Sequence, residues 1–420
     1  MAKPQLLSLN STVAIGFASM IGAGVFVVFR EAAALSGSYL WLAMLLAAAV
    51  ASLNAASVYQ LAAQNDRPGG VYAYSRVHIN DTWSFVAGFA FVFGKIGSIA
   101  AIAAVLGEYL SPLPKTLTAT LAIALLTAIN ILGINRTALA AKILATLTVS
   151  YLTFAILVGT FHGVIITGIA NGVCSGIPNC APTPLSPNLG GLIPAAAVMF
   201  FAFAGYARVA TLGNEVENAK VNIPKAIRRS LIWVLLIYFG VSLALVANFQ
   251  GELATTESPF KNLYRTITPY PFSDALTVFV VSAACLGSIL ALLAGVSRTA
   301  ATMAEDHELP SIFERRNRFG SPWLAEVIIA VGAILLLQIG NLTWMIGFSS
   351  LSVLLYYAIG HVSALRQPKS ERVVPRFFAW LGLALCTLLC VAVPGPALWV
   401  SALILLAAVL VRRLVRKAQA

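Results

Sequence analysis

The stretch Ser11–Arg30, STVAIGFASMIGAGVFVVFR, decides how the rest of the chain is read. It is apolar and long enough to cross the hydrocarbon core as a helix. Yet Gly16, Gly22 and Gly24 interrupt it, the last two flanking Ala23 where a lipid-spanning helix favours leucine. Glycine removes side-chain bulk and weakens a helix by about 1 kcal/mol relative to alanine. An unwound turn at membrane depth is tolerated only where it is buried in protein or lines a wet cavity. There it bares the amide N–H groups of one half-helix, with about half a positive charge, and the carbonyls of the other. Such ends can hold the carboxylate and ammonium of an amino acid together. The same glycines can also serve close helix packing, as small residues do in membranes. This stretch alone leaves both readings open.

Around it lies a chain of 420 residues that is 59% hydrophobic and 10% charged, against about 25% charged residues in soluble domains. The expected class is a polytopic all-α membrane protein, with the lipid bilayer as its solvent. A net charge of +12 does not point to nucleic acid, because the basic residues fall in short loops between apolar spans. The first span lacks a small-residue cleavage site, so it is expected to be retained rather than removed as a signal peptide. Five cysteines are too few for a disulfide scaffold, and no metal-ligand spacing occurs. Cys386 and Cys390 sit inside an apolar span and read as packing residues. Nothing resembles a nucleophile with its base, or a phosphate-cradling loop, so neither an enzyme nor a cofactor is expected.

Apolar runs of spanning length lie near 11–30, 38–63, 83–110, 115–133, 138–163, 190–213, 230–250, 272–301, 322–340, 342–362, 376–394 and 397–411, which makes twelve transmembrane helices. Alternate loops collect the positive charge, from Lys3 through Arg67, Arg76, Lys142, Arg228 and Arg316 to Arg372 and the tail residues Arg412 and Arg413. The opposite side has little beyond Arg30, Lys115, Lys261 and Arg265. This asymmetry places both termini in the cytoplasm. The segment His162–Asn188 is expected to be a long outer loop, and its Cys174 and Cys180 either pair in an oxidising compartment or stay free.

A second interruption mirrors the first. Ala195–Thr211 reads AAAVMFFAFAGYARVAT, with Gly205 and Arg208 deep in apolar sequence. The two interruptions are five spans apart, and broken segments at corresponding places in two halves point to a transporter site. The expected organisation is a five-plus-five inverted repeat, 11–163 and 190–362, with broken helices one and six and a peripheral hairpin at 376–411. Two interruptions favour a site over plain packing.

Four motifs then carry a resemblance. Gly16-Phe17-Ala18-Ser19-Met20-Ile21-Gly22-Ala23-Gly24-Val25-Phe26 is the first, and Arg67-Pro68-Gly69-Gly70-Val71-Tyr72-Ala73-Tyr74-Ser75-Arg76 the second. The third is Phe200-Phe201-Ala202-Phe203-Ala204-Gly205-Tyr206, with Glu215 and Asn222-Ile223-Pro224-Lys225-Ala226-Ile227. The fourth joins Ser297-Arg298-Thr299, Met303-Ala304-Glu305-Asp306 and Leu309-Pro310. In this order the chain resembles the amino acid–polyamine–organocation (APC) superfamily of transporters. The resemblance implies an amino-acid substrate and transport by alternating access across the inner, cytoplasmic membrane. It implies that Gly22, Ala23 and Gly24 offer N–H groups to the substrate carboxylate. Met20, through its carbonyl, takes the ammonium, helped by backbone near Phe201 and Ala204. Phe201 falls where the family places an aromatic gate, with a core or lipid-facing ring as the alternative.

Departures from the family bear on specificity. Many relatives carry an acidic residue where this chain has Ala207, next to Arg208. Without that carboxylate, cationic substrates such as polyamines are disfavoured and a neutral amino acid is expected, with an anionic one as the alternative. Proton-coupled relatives have a span-five lysine where this chain has Tyr151 or Ser150. Lys95 stands in the middle of span three instead, where an ammonium costs at least about 2.5–3.5 kcal/mol. It is the candidate for proton coupling or substrate contact, and the alternative is a structural lysine bonded to carbonyls of an unwound span. Arg208 with Glu215 or Glu217 is a candidate gating ion pair, with substrate contact as the other option. Export, exchange, a channel and a nontransporting sensor remain the competing functions.

Overall fold

The computed structural model describes residues 6–64, 69–110, 114–132, 137–173, 186–206, 209, 216–268 and 271–419. Helices dominate, and the one extended contact among these residues is an isolated bridge between Leu7 and Val216. Span one is two helices, α1 (Leu9–Met20) and α2 (Val25–Ser36). Then come α3 (Leu40–Gln64), α4 (Val71–His78), α5 (Asp81–Tyr109), α6 (Lys115–Ile131), α7 (Thr137–Val173) and α8 (Leu192–Phe203). The second half holds α9 (Ala219–Phe249), α10 (Pro259–Ile267), α11 (Phe272–Glu305), α12 (Trp323–Ile339) and α13 (Leu342–Arg366). The chain closes with α14 (Arg376–Val391) and α15 (Ala397–Gln419).

Among the described residues, seven helical stretches are long and apolar enough to cross a membrane, Asp81–Tyr109 and Leu342–Arg366 being two of them. Shorter apolar helices include Leu9–Met20 and Leu192–Phe203, the first parts of the two interrupted spans. Large apolar side chains such as Trp233, Leu236, Leu335, Ile339, Leu403 and Leu406 cover the outside of the bundle. That exterior suits hydrocarbon, where no hydrophobic penalty attaches to it.

The middle of the bundle is α5, buried along most of its length between α11 and α13. Small residues make this closeness possible. A Cβ at Gly94 would lie 2.6 Å from the Cβ of Ser352, and one at Gly97 2.8 Å from the Phe348 ring. α1 leans on α9 and α7, α8 lies against α3 and α2, and α14 and α15 flank α13.

Four expectations are corrected here. The residues from His162 to Val173 are helix, the end of α7, and not outer loop. HGVIITGIANGV carries no proline and no charged residue, so nothing stops the helix before that point. Two short helices, α4 and α10, occupy what reads as loop; each starts after a residue of positive φ, Gly70 at 60° and Ser258 at 50°. Arg412 and Arg76 are more than orientation charges. The buried Glu308 carboxylate accepts from Arg412 Nε at 2.5 Å and from Arg76 at 2.8 Å, and Arg76 also meets Asp306 at 2.8 Å. The last helix is thereby tied to α4 and to the end of α11. Cys174 and Cys180 lie outside the described residues. Cys386 does more than pack: its thiol donates to Asn54 Oδ1 at 3.0 Å.

Candidate functional site between the interrupted spans

Span one opens where its glycines stand. α1 stops at Met20, with the Ile21 N–H closing on the Phe17 carbonyl at 2.8 Å. α2 begins at Val25, its first turn formed by Phe26 N–H to Ala23 and Val28 N–H to Gly24. Between them Ile21–Gly24 is buried and not helical, so N–H groups at the start of α2 and carbonyls at the end of α1 lack intrahelical partners. Ser288 of α11 meets this end, its Oγ accepting from Ala23 N–H at 3.3 Å. The Met20 carbonyl accepts from the Tyr238 hydroxyl of α9 at 2.6 Å. Close packing is served as well, since a Cβ at Gly24 would sit 3.0 Å from Ala202 Cα.

Span six tightens at the matching place, where α8 gives way to a 3-10 turn over Ala204–Tyr206. The two spans touch here backbone to backbone. A Cβ on Gly205 would lie 2.1 Å from the Ser19 carbonyl oxygen and 2.6 Å from Met20 N, so only glycine fits. Lys95 reaches this turn from α5, its Nζ donating to the Ala204 carbonyl at 3.1 Å. The side chain is buried, and among the described residues no carboxylate stands within ion-pair distance of it. Its charge is met by the carbonyl end of a half-helix, which carries partial negative charge. Phe201 is 7% exposed and packs beside Gly24 rather than toward lipid.

The expected residues Met20, Gly22, Ala23, Gly24, Lys95, Phe201 and Ala204 therefore converge on one region. Tyr151 sits elsewhere. It stacks on Tyr264 of α10 with ring centres 4.2 Å apart, bonds Thr277 at 3.0 Å, and lies 6.2 Å from the Phe26 ring. Arg208, Ala207 and Glu215 lie outside the described residues, as does the Arg67 end of the second motif; Glu217 is described, its N–H bonding the Leu7 carbonyl. Two site residues escape a reading of the sequence, Tyr238 and Ser288. A tyrosine in the apolar run Leu231–Gly240 is a usable signal, because a buried phenol seeks an acceptor; Ser288 gives no comparable sign.

An all-helical, multi-pass membrane protein in which the break of span one meets the 3-10 turn at the end of α8 has the build of a transporter. Residues 12–414 match the amino acid permease family, and the chain belongs to that family, within the APC superfamily. It is a transporter and not an enzyme. An uncharacterized transporter of Mycobacterium bovis is 35% identical over 416 residues, covering 98% of this chain and 92% of the relative. An uncharacterized protein of Methanocaldococcus jannaschii is 27% identical over 352 residues, 79% of this chain and 76% of that one. A vacuolar protein of Arabidopsis thaliana named cationic amino acid transporter 2 is 25% identical over 386 residues, 86% of this chain and 59% of the relative.

Proposed function

We propose that the protein is a secondary active permease that carries a neutral amino acid across the cytoplasmic membrane by alternating access. The contact that carries this reading is Gly205 over Ser19 and Met20, which brings the two interruptions together in the buried middle of the bundle. N–H groups at Gly22, Ala23 and Gly24 take the substrate carboxylate, and carbonyls near Met20 and Ala204 take the ammonium. Phe201 is the gate over the bound molecule.

Twelve spans in a five-plus-five inverted repeat account for the packing. Exchanging span one with six, two with seven, and so on, maps neighbours onto neighbours: α5 packs on α6, α12 and α13, while α11 packs on α12, α6 and α7. The short helices α4 and α10 likewise follow spans two and seven. On this scheme α14 and α15 are peripheral, and both termini lie in the cytoplasm.

Lys95 is the coupling group of this scheme. A charged ammonium holds the Ala204 carbonyl about twice as strongly as a neutral amine, so proton loss loosens span six. The same ammonium repels a cationic substrate side chain, and none of Met20–Gly24, Phe201–Gly205, Tyr238 and Ser288 is acidic. Those two facts favour a neutral substrate over the cationic class named for the Arabidopsis relative. The test is uptake and counterflow in proteoliposomes over a panel of amino acids, with and without a pH gradient. Gly24→Leu abolishes both while the protein still inserts; normal transport by that variant refutes the site.

A further inference from the structure

We propose that the cleft between α3, α13 and the start of α14 binds the phosphate of an anionic membrane phospholipid, held by Arg372 and Arg376. It lies apart from the amino-acid site and does not depend on it. Ser57 and Gln60 of α3, Ala364 of α13, Arg372 of the connecting segment, and Arg376 and Ala379 of α14 line the cleft. Its free space is about 10 Å³, room for one group the size of a water molecule. One phosphate oxygen fills that space, and the others stay at the rim beside the exposed Arg376.

Hydrogen-bond donors are in excess here. The Leu365 carbonyl accepts from Nη2 of Arg372 and of Arg376, each at 3.2 Å, and Arg372 Nη2 also donates to the Gln367 carbonyl. A guanidinium carries five N–H donors, so most remain over, and Arg372 Nε is buried with no partner. A buried donor left unmet is costly. Gln60 cannot meet it, because its Oε1 already accepts from Val373 and Val374 N–H at 3.3 and 2.9 Å. No carboxylate lines the cleft. Glu371, the one acid in Arg366–Arg376, acts on His78 instead. The start of α14 adds about half a positive charge from its unpaired N–H groups. Arg366 and Lys369, both exposed, extend the positive field outward.

The position suits a lipid headgroup. Phe377, Phe378 and Trp380, next to Arg376, are 66%, 42% and 60% exposed, and such rings collect at headgroup level. Basic pockets between spans at the cytoplasmic side take anionic headgroups, and on the topology proposed above this end is cytoplasmic. A zwitterionic lipid brings its own ammonium against the two arginines, so a lipid with net negative charge is preferred.

The experiment follows the melting temperature of the purified full chain in neutral detergent as lipid is added. Phosphatidylglycerol is expected to raise it saturably, on the order of 2–4 °C, while phosphatidylcholine and inorganic phosphate at equal concentration leave it within 1 °C, roughly the spread of such scans. Arg376→Gln is expected to lose most of the phosphatidylglycerol shift. Arg229→Gln, which removes an exposed charge on α9, is expected to keep it. Equal shifts with the two lipids overturn the proposal, and a shift reproduced by inorganic phosphate shows a small-anion site in place of a lipid one. An undiminished shift in Arg376→Gln, or an equal loss in Arg229→Gln, overturns the assignment to this cleft. The lipid comparison needs no variant, and because no transport is measured, the outcome is separate from that for the amino-acid site.

Discussion

Gly205→Ala is the smallest change that forces the two interrupted spans apart. The added methyl would sit 2.1 Å from the Ser19 carbonyl oxygen and 2.3 Å from its carbon. Ordinary contact begins near 3.4 Å, so the spans must separate by 3.4 − 2.1, or 1.3 Å, at their crossing. Both obstructing atoms are backbone, and no rotamer change relieves them. Overpacking of this kind costs about 1–3 kcal/mol of stability, while a misplacement of about 1 Å at a site costs on the order of 100-fold in rate. The expected outcome is therefore a protein that inserts but transports about 100-fold more slowly. Gly332→Ala is the matched control, because its methyl would meet only the Ile96 side chain at 3.4 Å. The assay is initial-rate uptake of labelled amino acid into proteoliposomes, normalised to inserted protein. A Gly205→Ala protein transporting within twofold of wild type refutes the claim that the spans function in contact.

Further outcomes follow from other contacts. Lys95→Met removes the pH dependence of uptake or most of its rate; wild-type behaviour would make Lys95 scaffolding. Arg412→Ala takes away one of two arginines bonded to buried Glu308, and breaking a buried pair costs about 3–5 kcal/mol. A clear fall in melting temperature in detergent is expected, and an unchanged value contradicts the tie. Gly382→Ala places a methyl 2.1 Å from the His361 ring, which Ser57 and Asn54 hold from both sides at 2.8 and 2.7 Å. About 1–3 kcal/mol of destabilisation is expected, and a neutral effect in thermal unfolding would show that the ring yields. Burial holds the His78 imidazole at the end of α4 below its ordinary value, opposed by Glu371. A depressed histidine stabilises the fold above its unfolded pKa of about 6.5 and loses that contribution as pH falls through the folded value. Acidification from about pH 7.5 to 5.5 should thus lower the melting temperature less in His78→Gln than in wild type; equal slopes refute the attribution.

The spans were legible because hydrocarbon thickness sets their length. Among the described residues, the apolar runs coincide with helices, or in span one with an interrupted pair, to within a few residues, apart from the extended ends of α2, α7, α9 and α15. The interruption of span one was legible for a different reason, since Gly22 and Gly24 are poor choices for a helix in lipid. The short helices α4 and α10 were not, being too brief for apolar period to mark them against loop. The partners in the site were hidden by sequence distance. Lys95 meets a carbonyl 109 residues away, Tyr238 one 218 away, and Ser288 an amide 265 away. Lys95 announced itself by its cost at mid-depth, but nothing local says which oxygen receives its charge. The buried pairing of Glu308 with Arg412 was obscured likewise, because a terminal arginine reads first as an orientation signal.

Counterflow is the most direct measurement of the central claim. Proteoliposomes carrying the purified protein and preloaded with an unlabelled neutral amino acid should transiently accumulate the labelled one, and those carrying Gly24→Leu should not. Accumulation that survives Gly24→Leu, or wild-type flux that neither saturates nor exchanges, would contradict an amino-acid site at the meeting of the two broken spans.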